Sequence, residues 1–558
     1  MRHVLQKIFN NPKFVKVKPY LPYFIIVLAF LVFSRASPFF TNGYRETDLN
    51  TMLSTMRSLL HGKVYYRDFF EQRGLYYLWL GLPGIATGSF YLGRVWLWLL
   101  ELISWSLTVH IFNKIKYHPW LNTSLLILML MLFGWQNTGE PEELGLFVFA
   151  YAVYLGLQKT ITFKQNLLLG IAFGIIIEIK YGMIGPVAGF YFGYGMCLLF
   201  RKQFKAFFKT AGIALGGVLI TQIPLIIYEL SVNNLGNYVK NYFFSNSGNL
   251  GHQTIITALS FAILYLGNAI MFIAAIGFMM YTGWRTLNKQ QKFIEISIFI
   301  FALMGASVIG HYCYHYPLDY MPVLVAMATL GYSQIKWHKL PKPFAILIAC
   351  TTLGIVGFTI GEAVKTSIRA FQIEQENLAC KEESQIVAHN PTKVLTFFSL
   401  SNYIYTQNNG YPDMYFFERV NITHKALPKM DSESIRYIRE KKANWVAVNE
   451  SLLTKQKSYG KMLSKVQTFP NEKFSYTLYM VRHYGETRYA YLNVPNSLIK
   501  NYKLVFMKPN FDAASYRDDD DAVIQLWAKP SYIKKYHLHE VPSTWHAVPS
   551  SQKLRNKK

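Results

Sequence analysis

Four short stretches of this chain carry side chains able to do chemistry. The first, NGYRETDLNTMLSTMRSLLHGKVYYRDFFEQRG, holds Glu46, Asp48, Asp68 and Glu71 beside Arg67 and Arg73. The second, QNTGEPEEL, packs Glu140, Glu142 and Glu143 into four positions. The third, GIIIEIKYG, places Lys180 at the end of an apolar run, and the fourth, GHYCYHYPLDYMP, carries His311 and His315 among tyrosines. A carboxylate can take the proton of an attacking hydroxyl. A cation can stabilise negative charge as it grows on a leaving phosphate. Each stretch also has a plainer reading. Thr47 or Asp48 stands where a helix N-cap belongs, and YYRDFFEQR suits a charged loop anchored by aromatic rings at a membrane surface. The three glutamates repel one another unless a cation or a bound substrate compensates, or they are solvated at a loop tip. Lys180 can reach past the apolar edge to water or meet a lipid-borne phosphate. The tyrosines around His311 and His315 suit an aromatic belt. As a metal pair the two histidines lack a third ligand and are followed by Pro317.

The elements that must position these residues are apolar. Runs such as YFIIVLAFLVF, LLILMLMLF and FAILYLGNAIMFIAAIGFMM recur through residues 1–362, and mixed polar sequence follows from 363 to 558. Membrane spans are read near 20–39, 93–112, 121–136, 144–158, 166–179, 183–200, 211–229, 257–282, 293–310, 317–333 and 344–361. The pattern predicts a polytopic α-helical membrane protein of about eleven spans. With the N-terminus in the cytoplasm, lysines and arginines concentrate in the inner segments, as the positive-inside rule requires. Those segments contain no Asp or Glu. The run Leu75–Leu92 would reverse every later loop if it crossed. With Pro83 and Gly84 it reads instead as a hairpin that re-enters the same face. All four stretches then share the outer face, where a carboxylate near lipid is costly and commonly functional. Spacing at Leu49, Met52, Leu53, Met56, Leu59 and Leu60 predicts an amphipathic helix in the membrane interface, ended by Gly62.

An odd number of spans places 363–558 outside the cell as an extracytoplasmic domain. VLTFF, WVAVN and YTLYMV look strand-like and ESIRYIREKK looks helical, so a mixed α/β fold is expected. Asp518–Asp521 is an aspartate run without the glycine and ligand spacing of a calcium loop, and Asn421-Ile-Thr fits a glycosylation acceptor by pattern alone. The four cysteines, Cys197, Cys313, Cys350 and Cys380, are too scattered for a disulfide framework or a metal site. The first apolar run, from Tyr20 to about Phe39, lacks the short core and small-residue cleavage site of a signal peptide. A net charge of +26 is spread over both parts of the chain. It argues for anionic lipid headgroups, polyanionic wall polymers or phosphate-bearing substrates as partners, and against one nucleic-acid patch.

In this order, the elements resemble a known family. Asp48, then Gly62, YYRDFFEQRG, a hairpin rich in Gly, Leu and Pro, GEPEEL, GIIIEIKY and HYPLDYMP are similar to bacterial GT-C superfamily membrane glycosyltransferases. That group is related to protein O-mannosyltransferases and lipid A aminoarabinose transferases. The likeness is nearest to Gram-positive members with YRDxFEQKGP loops and covers roughly 20–335. Leu75 departs from it, since the family usually has proline there.

The resemblance implies a GT-C-like catalytic domain (1–362) in a bacterial plasma membrane, transferring a hexosyl group from a polyprenyl-phosphate-linked sugar. The acceptor would be a cell-wall or surface glycopolymer such as a teichoic-acid-like chain, a glycolipid or a protein. It implies Asp48 as catalytic base or acceptor-site carboxylate, with Glu142 or Glu143 as the second acid. Arg73 and Lys180 would neutralise the donor phosphate, and Arg67 adds a third cation. Glu46, Asp68, Glu71, His311 and His315 are candidate substrate-binding residues. A divalent cation, Mg or Mn, bridging carboxylate and phosphate is the one cofactor left open.

Two other readings compete. A transporter or flippase for a lipid-linked saccharide would show repeats and charges near the midplane. Within the spans only Glu101, Glu178 and Glu295 are acidic, and no repeat is evident. A non-catalytic polymer-binding protein would leave the outer carboxylates unexplained.

Overall fold

The computed structural model describes residues 21–32, 37–39, 47–132, 141–245, 270–308, 316–335, 378–397, 402–418, 427–453, 474–483, 486–510 and 522–541, with scattered helical positions from 342 to 368. Glu46, Glu140, His311, His315, Asn421, Asp518–Asp521 and the last of the predicted spans as a continuous helix lie outside the described residues. So does the side chain of Asp48.

Helix α1 (Leu21–Val32) is followed by α2 (Thr47–Leu60), α3 (Leu75–Ile85), α4 (Phe90–Ile115), α5 (Pro119–Leu132), α6 (Pro141–Gly156) and α7 (Phe163–Ile177). A 3-10 turn, Tyr181–Ile184, leads into α8 (Gly185–Phe200), and α9 (Phe204–Ser231) follows. After a short α10 (Leu235–Tyr238) and a π turn, Val239–Ser245, come α11 (Ile270–Thr286), α12 (Lys289–Val308) and α13 (Met321–Gln334). Among the described residues three helical runs, Phe90–Ile115, Tyr181–Phe200 and Phe204–Ser231, are long and apolar enough to cross a membrane. At 11 residues α3 reaches about 16 Å, roughly half of a ~30 Å hydrocarbon core. Gly88, at φ +81, turns the chain back, and the Ser89 hydroxyl caps α4 by accepting from the Leu92 N–H at 3.3 Å.

Helices pair α4 with α6, α7 with α9, α8 with α12, and α11 with α13. Small residues let backbones approach where lipid offers no hydrophobic drive between helices. A Cβ on Gly283 would collide with the carbonyl of Met327, and one on Gly331 with that of Met279, so α11 and α13 meet only because both positions are glycine. Asn122 joins three elements in the same part of the bundle. It donates to Asn113 Oδ1 at 2.8 Å and to the Lys116 carbonyl at 3.1 Å, and accepts from Thr329 Oγ1 at 2.7 Å.

The interfacial helix expected from the spacing is α2, but its surroundings differ from the expectation. Leu49, Met52, Leu53 and Met56 are buried, and so are Asn50, Thr51, Ser54, Thr55 and Ser58 on the polar side. Ser54 and Thr55 turn their hydroxyls onto carbonyls of the preceding turn, Asn50 at 2.8 Å and Thr51 at 2.9 Å. The remaining polar groups meet residues 402–418, so protein rather than water covers this face.

That cover belongs to the C-terminal region. It begins with α14 (Leu378–Val387), β1 (Val394–Phe397), α15 (Tyr403–Gln407), α16 (Pro428–Arg439) and β2 (Trp445–Leu453). It continues with β3 (Phe474–His483), β4 (Glu486–Pro495), α17 (Asn496–Asn501), β5 (Lys503–Asn510), β6 (Ala522–Ala528) and α18 (Pro530–Tyr536). The six strands form one sheet in the order β3-β4-β2-β6-β5, with β1 parallel to the first half of β2 and the other pairs antiparallel. Trp445 stands between Val394 and Ala528, and these residues with Leu395, Val446, Ile524 and Leu526 are buried in its core.

Candidate active site

The loop after α2 is held by its own side chains. The Asp68 carboxylate accepts from the Val64 N–H at 2.7 Å, and Tyr66, at φ 60, donates its N–H to the Phe69 carbonyl at 2.9 Å. This fold-back buries Tyr65, Tyr66, Phe69 and Phe70. The Tyr65 hydroxyl reaches the carbonyls of Glu71, at 3.0 Å, and Arg73. Glu71, 1% exposed, pairs through Oε1 with Arg73 Nη1 at 2.5 Å and accepts the Arg73 backbone N–H on Oε2 at 2.7 Å. Arg73 also lies over the Tyr77 ring, 5.6 Å from its centre.

The next residue ties this loop to the end of α7. Gly74 donates its N–H to the Ile179 carbonyl at 3.1 Å, and a Cβ there would collide with the carbonyl of Glu178. Only glycine permits this approach. Arg73 and Lys180 therefore each stand one residue from a shared backbone contact. From that corner Lys180 Nζ pairs with Glu142 Oε1 at 2.6 Å. Glu142 and Glu143 are fully buried in the first turn of α6, where the helix dipole favours negative charge. Ser104 of α4 donates to the Glu143 carbonyl at 2.8 Å. Asp319, 2% exposed in the 3-10 turn before α13, lies within electrostatic reach of Glu142 and Lys180. Its Oδ1 meets no hydrogen-bond donor among the described residues.

Two further carboxylates close the corner. Glu178 Oε1 accepts from the Tyr238 hydroxyl at 2.5 Å, and Glu229 Oε2 accepts from Asn234 at 2.8 Å. Asn234 also donates to the Tyr65 carbonyl at 2.6 Å, linking this pair to the first loop. Glu178 caps the end of α7, so it belongs to this corner and not to the middle of a span.

The C-terminal region completes the wall. Glu418 Oε2 accepts from Thr51 at 3.0 Å and from Asn402. Thr406 donates to Asn50 Oδ1 at 2.8 Å, Ser58 to the Pro412 carbonyl at 3.2 Å, and the Phe70 N–H to the Tyr415 carbonyl at 2.8 Å. Lys63 pairs with Asp413. Burial pushes the Glu418 carboxyl up to about 8; Glu71 adds to the rise, while Asn402, Thr51 and Arg73 oppose it.

Of the residues singled out in the sequence, Glu71, Arg73, Lys180, Glu142 and Glu143 gather at this corner. Arg67 does not join them. It pairs with Asp68 at 3.2 Å on the exposed loop and reaches the Val232 carbonyl at 3.4 Å. Its neighbour Asp68 folds back onto the loop, so Arg67 drops out of the expected set of cations and leaves Arg73 and Lys180 on either side of the Gly74–Ile179 contact. Asp48 is the second residue of α2, one turn ahead of Thr51.

No protein-family model and no curated protein matches the sequence. Solved structures do match the fold. ArnT from Cupriavidus metallidurans bound to undecaprenyl phosphate superposes over 85% of this chain and 98% of its own, at TM-score 0.53 and 10% identity. Its apo state covers 79% of this chain and 93% of its own at TM-score 0.52 and 10% identity. The Archaeoglobus fulgidus oligosaccharyltransferase superposes less well, with TM-score 0.46 and 12% identity over 90% of this chain and 80% of its own. ArnT is an aminoarabinose transferase and a GT-C superfamily member. This chain has the GT-C fold.

Within the GT-C fold, Asp319, Glu418, Glu178 and Glu229 are site carboxylates absent from the sequence-derived candidates. Asp319 lay in plain view inside HYPLDYMP, yet nothing in the spacing distinguishes it from a turn residue. Glu418 carries no local signal, since its partner Thr51 is 367 positions away. The donor set also bears on a divalent cation. Among the described residues no group of three or more His, Cys, Asp or Glu side chains is placed to hold a metal, and the Lys180 ammonium already occupies one oxygen of Glu142.

Proposed function

We propose that this protein is a glycosyltransferase of the outer membrane face, moving a sugar from a polyprenyl-phosphate donor to a cell-wall or surface glycan, glycolipid or protein. One observation carries the reading. Arg73, paired with Glu71, and Lys180, paired with Glu142, each flank the backbone bond from Gly74 to Ile179, which joins the first loop to the end of α7. The undecaprenyl phosphate named with the ArnT structure is the kind of carrier lipid that a sugar-loaded polyprenyl-phosphate donor would release in such a corner.

In the reaction, an acceptor hydroxyl attacks the anomeric carbon. The bond from that carbon to the phosphate oxygen breaks, and its electron pair leaves with the polyprenyl phosphate. Arg73 and Lys180 stabilise the charge that grows there. The proton passes to a carboxylate, for which Asp48 is our assignment. Glu142, held by Lys180, and Glu143 orient the site, and Glu71 fixes the guanidinium of Arg73 by gripping both its backbone and its side chain. Arg67 serves the loop through Asp68.

The test is a comparison of surface glycans from cells carrying the intact chain, no chain, or Asp48→Asn. Deletion and Asp48→Asn should each remove the same sugar residue. A deletion that leaves every surface glycan unaltered sinks the reading, and full transfer by Asp48→Asn removes the base.

A further inference from the structure

Glu418 is a buried carboxyl that faces another part of the chain instead of solvent, and the mechanism above does not use it. Its backbone bridges Thr396 in β1, while its side chain meets Thr51 in α2. It therefore stands between the C-terminal sheet and the helix that begins at Thr47. Asn402 reinforces the link, donating to Glu418 and approaching Thr51 Oγ1 at 2.5 Å. The neighbouring bond from Thr406 to Asn50 holds the same turn of α2, and the bond from Phe70 to Tyr415 holds the start of the FFEQR segment.

We propose that Glu418 is a positioning residue for the transfer reaction, tying the first turns of α2 and the Glu71–Arg73 pair to the C-terminal sheet. Its part in the reaction rests on the glycosyl-transfer reading, whereas the tie itself rests on contacts. Thr51 follows Asp48 by one turn, so a shift of Thr51 moves the backbone that carries Asp48. The charged and titratable groups within its field are Glu71 and Arg73 from the first loop and the Tyr405 phenol from α15. Burial pushes the Glu418 carboxyl up to about 8, which favours its protonated form on the acid side of that pH. Both donors meet Oε2, which leaves Oε1 to carry the proton. Above that pH a second negative charge appears near Glu71, and the tie loosens.

The experiment uses the full chain in lipid nanodiscs, wild type, Glu418→Gln and Glu418→Ala. It measures hydrogen-exchange protection of residues 47–60 and 65–74 and binding of undecaprenyl phosphate, from pH 7 to 9. Wild type should lose protection and affinity as pH rises through about 8. Glu418→Gln keeps the acceptor and cannot ionise, so it should retain both and stay flat across the range. Glu418→Ala should lose roughly tenfold in protection at pH 7, the scale expected when buried donors lose their acceptor. Unchanged protection in Glu418→Ala overturns the proposal, as does a Glu418→Gln that behaves like Glu418→Ala. If wild type binds no undecaprenyl phosphate, the donor reading fails while the protection data still decide the tie.

Discussion

Lys180 sits at the edge of an apolar helix with its ammonium turned inward, and its partner Glu142 has no exposed surface. Removing one member of a buried pair leaves the other charge uncompensated, at a cost of about 3–5 kcal/mol. Lys180→Met should therefore lower thermal stability, and Lys180→Met with Glu142→Gln should recover most of it. Neither variant should transfer sugar, because the cation at the leaving phosphate is gone in both. Melting curves and the glycan comparison check the two halves separately. Glu383 accepts from the Tyr403 hydroxyl in the C-terminal region. Burial pushes its carboxyl up to about 8, and the Tyr403 bond opposes the rise. The folded chain thus keeps a proton that the unfolded chain releases near the ordinary glutamate value. This contribution to stability is full at acid pH and is lost as pH climbs through about 8. Thermal unfolding at pH 6 and pH 9 should differ, and Glu383→Gln should narrow the difference.

Among elements, the junction of the first loop with the end of α7 matters most. The loop brings Arg73 and the turn after α7 brings Lys180, and the backbone bond from Gly74 to Ile179 joins them. Gly74→Ala places a methyl group against the Glu178 carbonyl, and overpacking of this kind costs about 1–3 kcal/mol. The expected outcome is sharply reduced transfer with unchanged helical circular dichroism. Transfer at the wild-type rate would show that the corner need not be closed. Only part of helix α2 is legible in the sequence. Its position and its end at Gly62 follow from local spacing and from φ +75, which glycine adopts at no steric cost. Its buried polar face does not, since Ser and Thr at helical spacing look the same whether water or protein covers them.

Across the whole molecule, the readings require one orientation in the membrane. By the positive-inside rule, basic residues on the inner segments and a short, turned-back α3 would put the first loop outside and the Lys159–Phe163 connection inside. In a cysteine-free background, Asp68→Cys should react with a membrane-impermeant maleimide on intact cells. Lys164→Cys should react only after permeabilisation. The reverse pattern would place the Arg73–Lys180 corner in the cytoplasm and remove it from any outer-leaflet donor. The same scale accounts for the C-terminal region, which is built into the site through Thr51, Ser58, Lys63 and Phe70 and does not stand apart as an appendage.

Apolar runs and turn residues are local signals, and they were enough to expect a bundle of apolar helices, three of them long enough to span a membrane among the described residues, together with the first-loop helix and the turned-back segment. Backbone hydrogen bonding within helices and the aversion of charge to lipid act over a few residues, so their traces survive in a linear text. Pairing between distant segments leaves no such trace. That Lys180 meets Glu142, that Arg67 turns away to Asp68, that Asp319 faces the same cluster and that Glu418 reaches Thr51 are outcomes of packing. Each depends on helix axes and a sheet edge coming to rest at particular distances, and a carboxylate reads the same in the sequence whichever partner the folded chain brings to it.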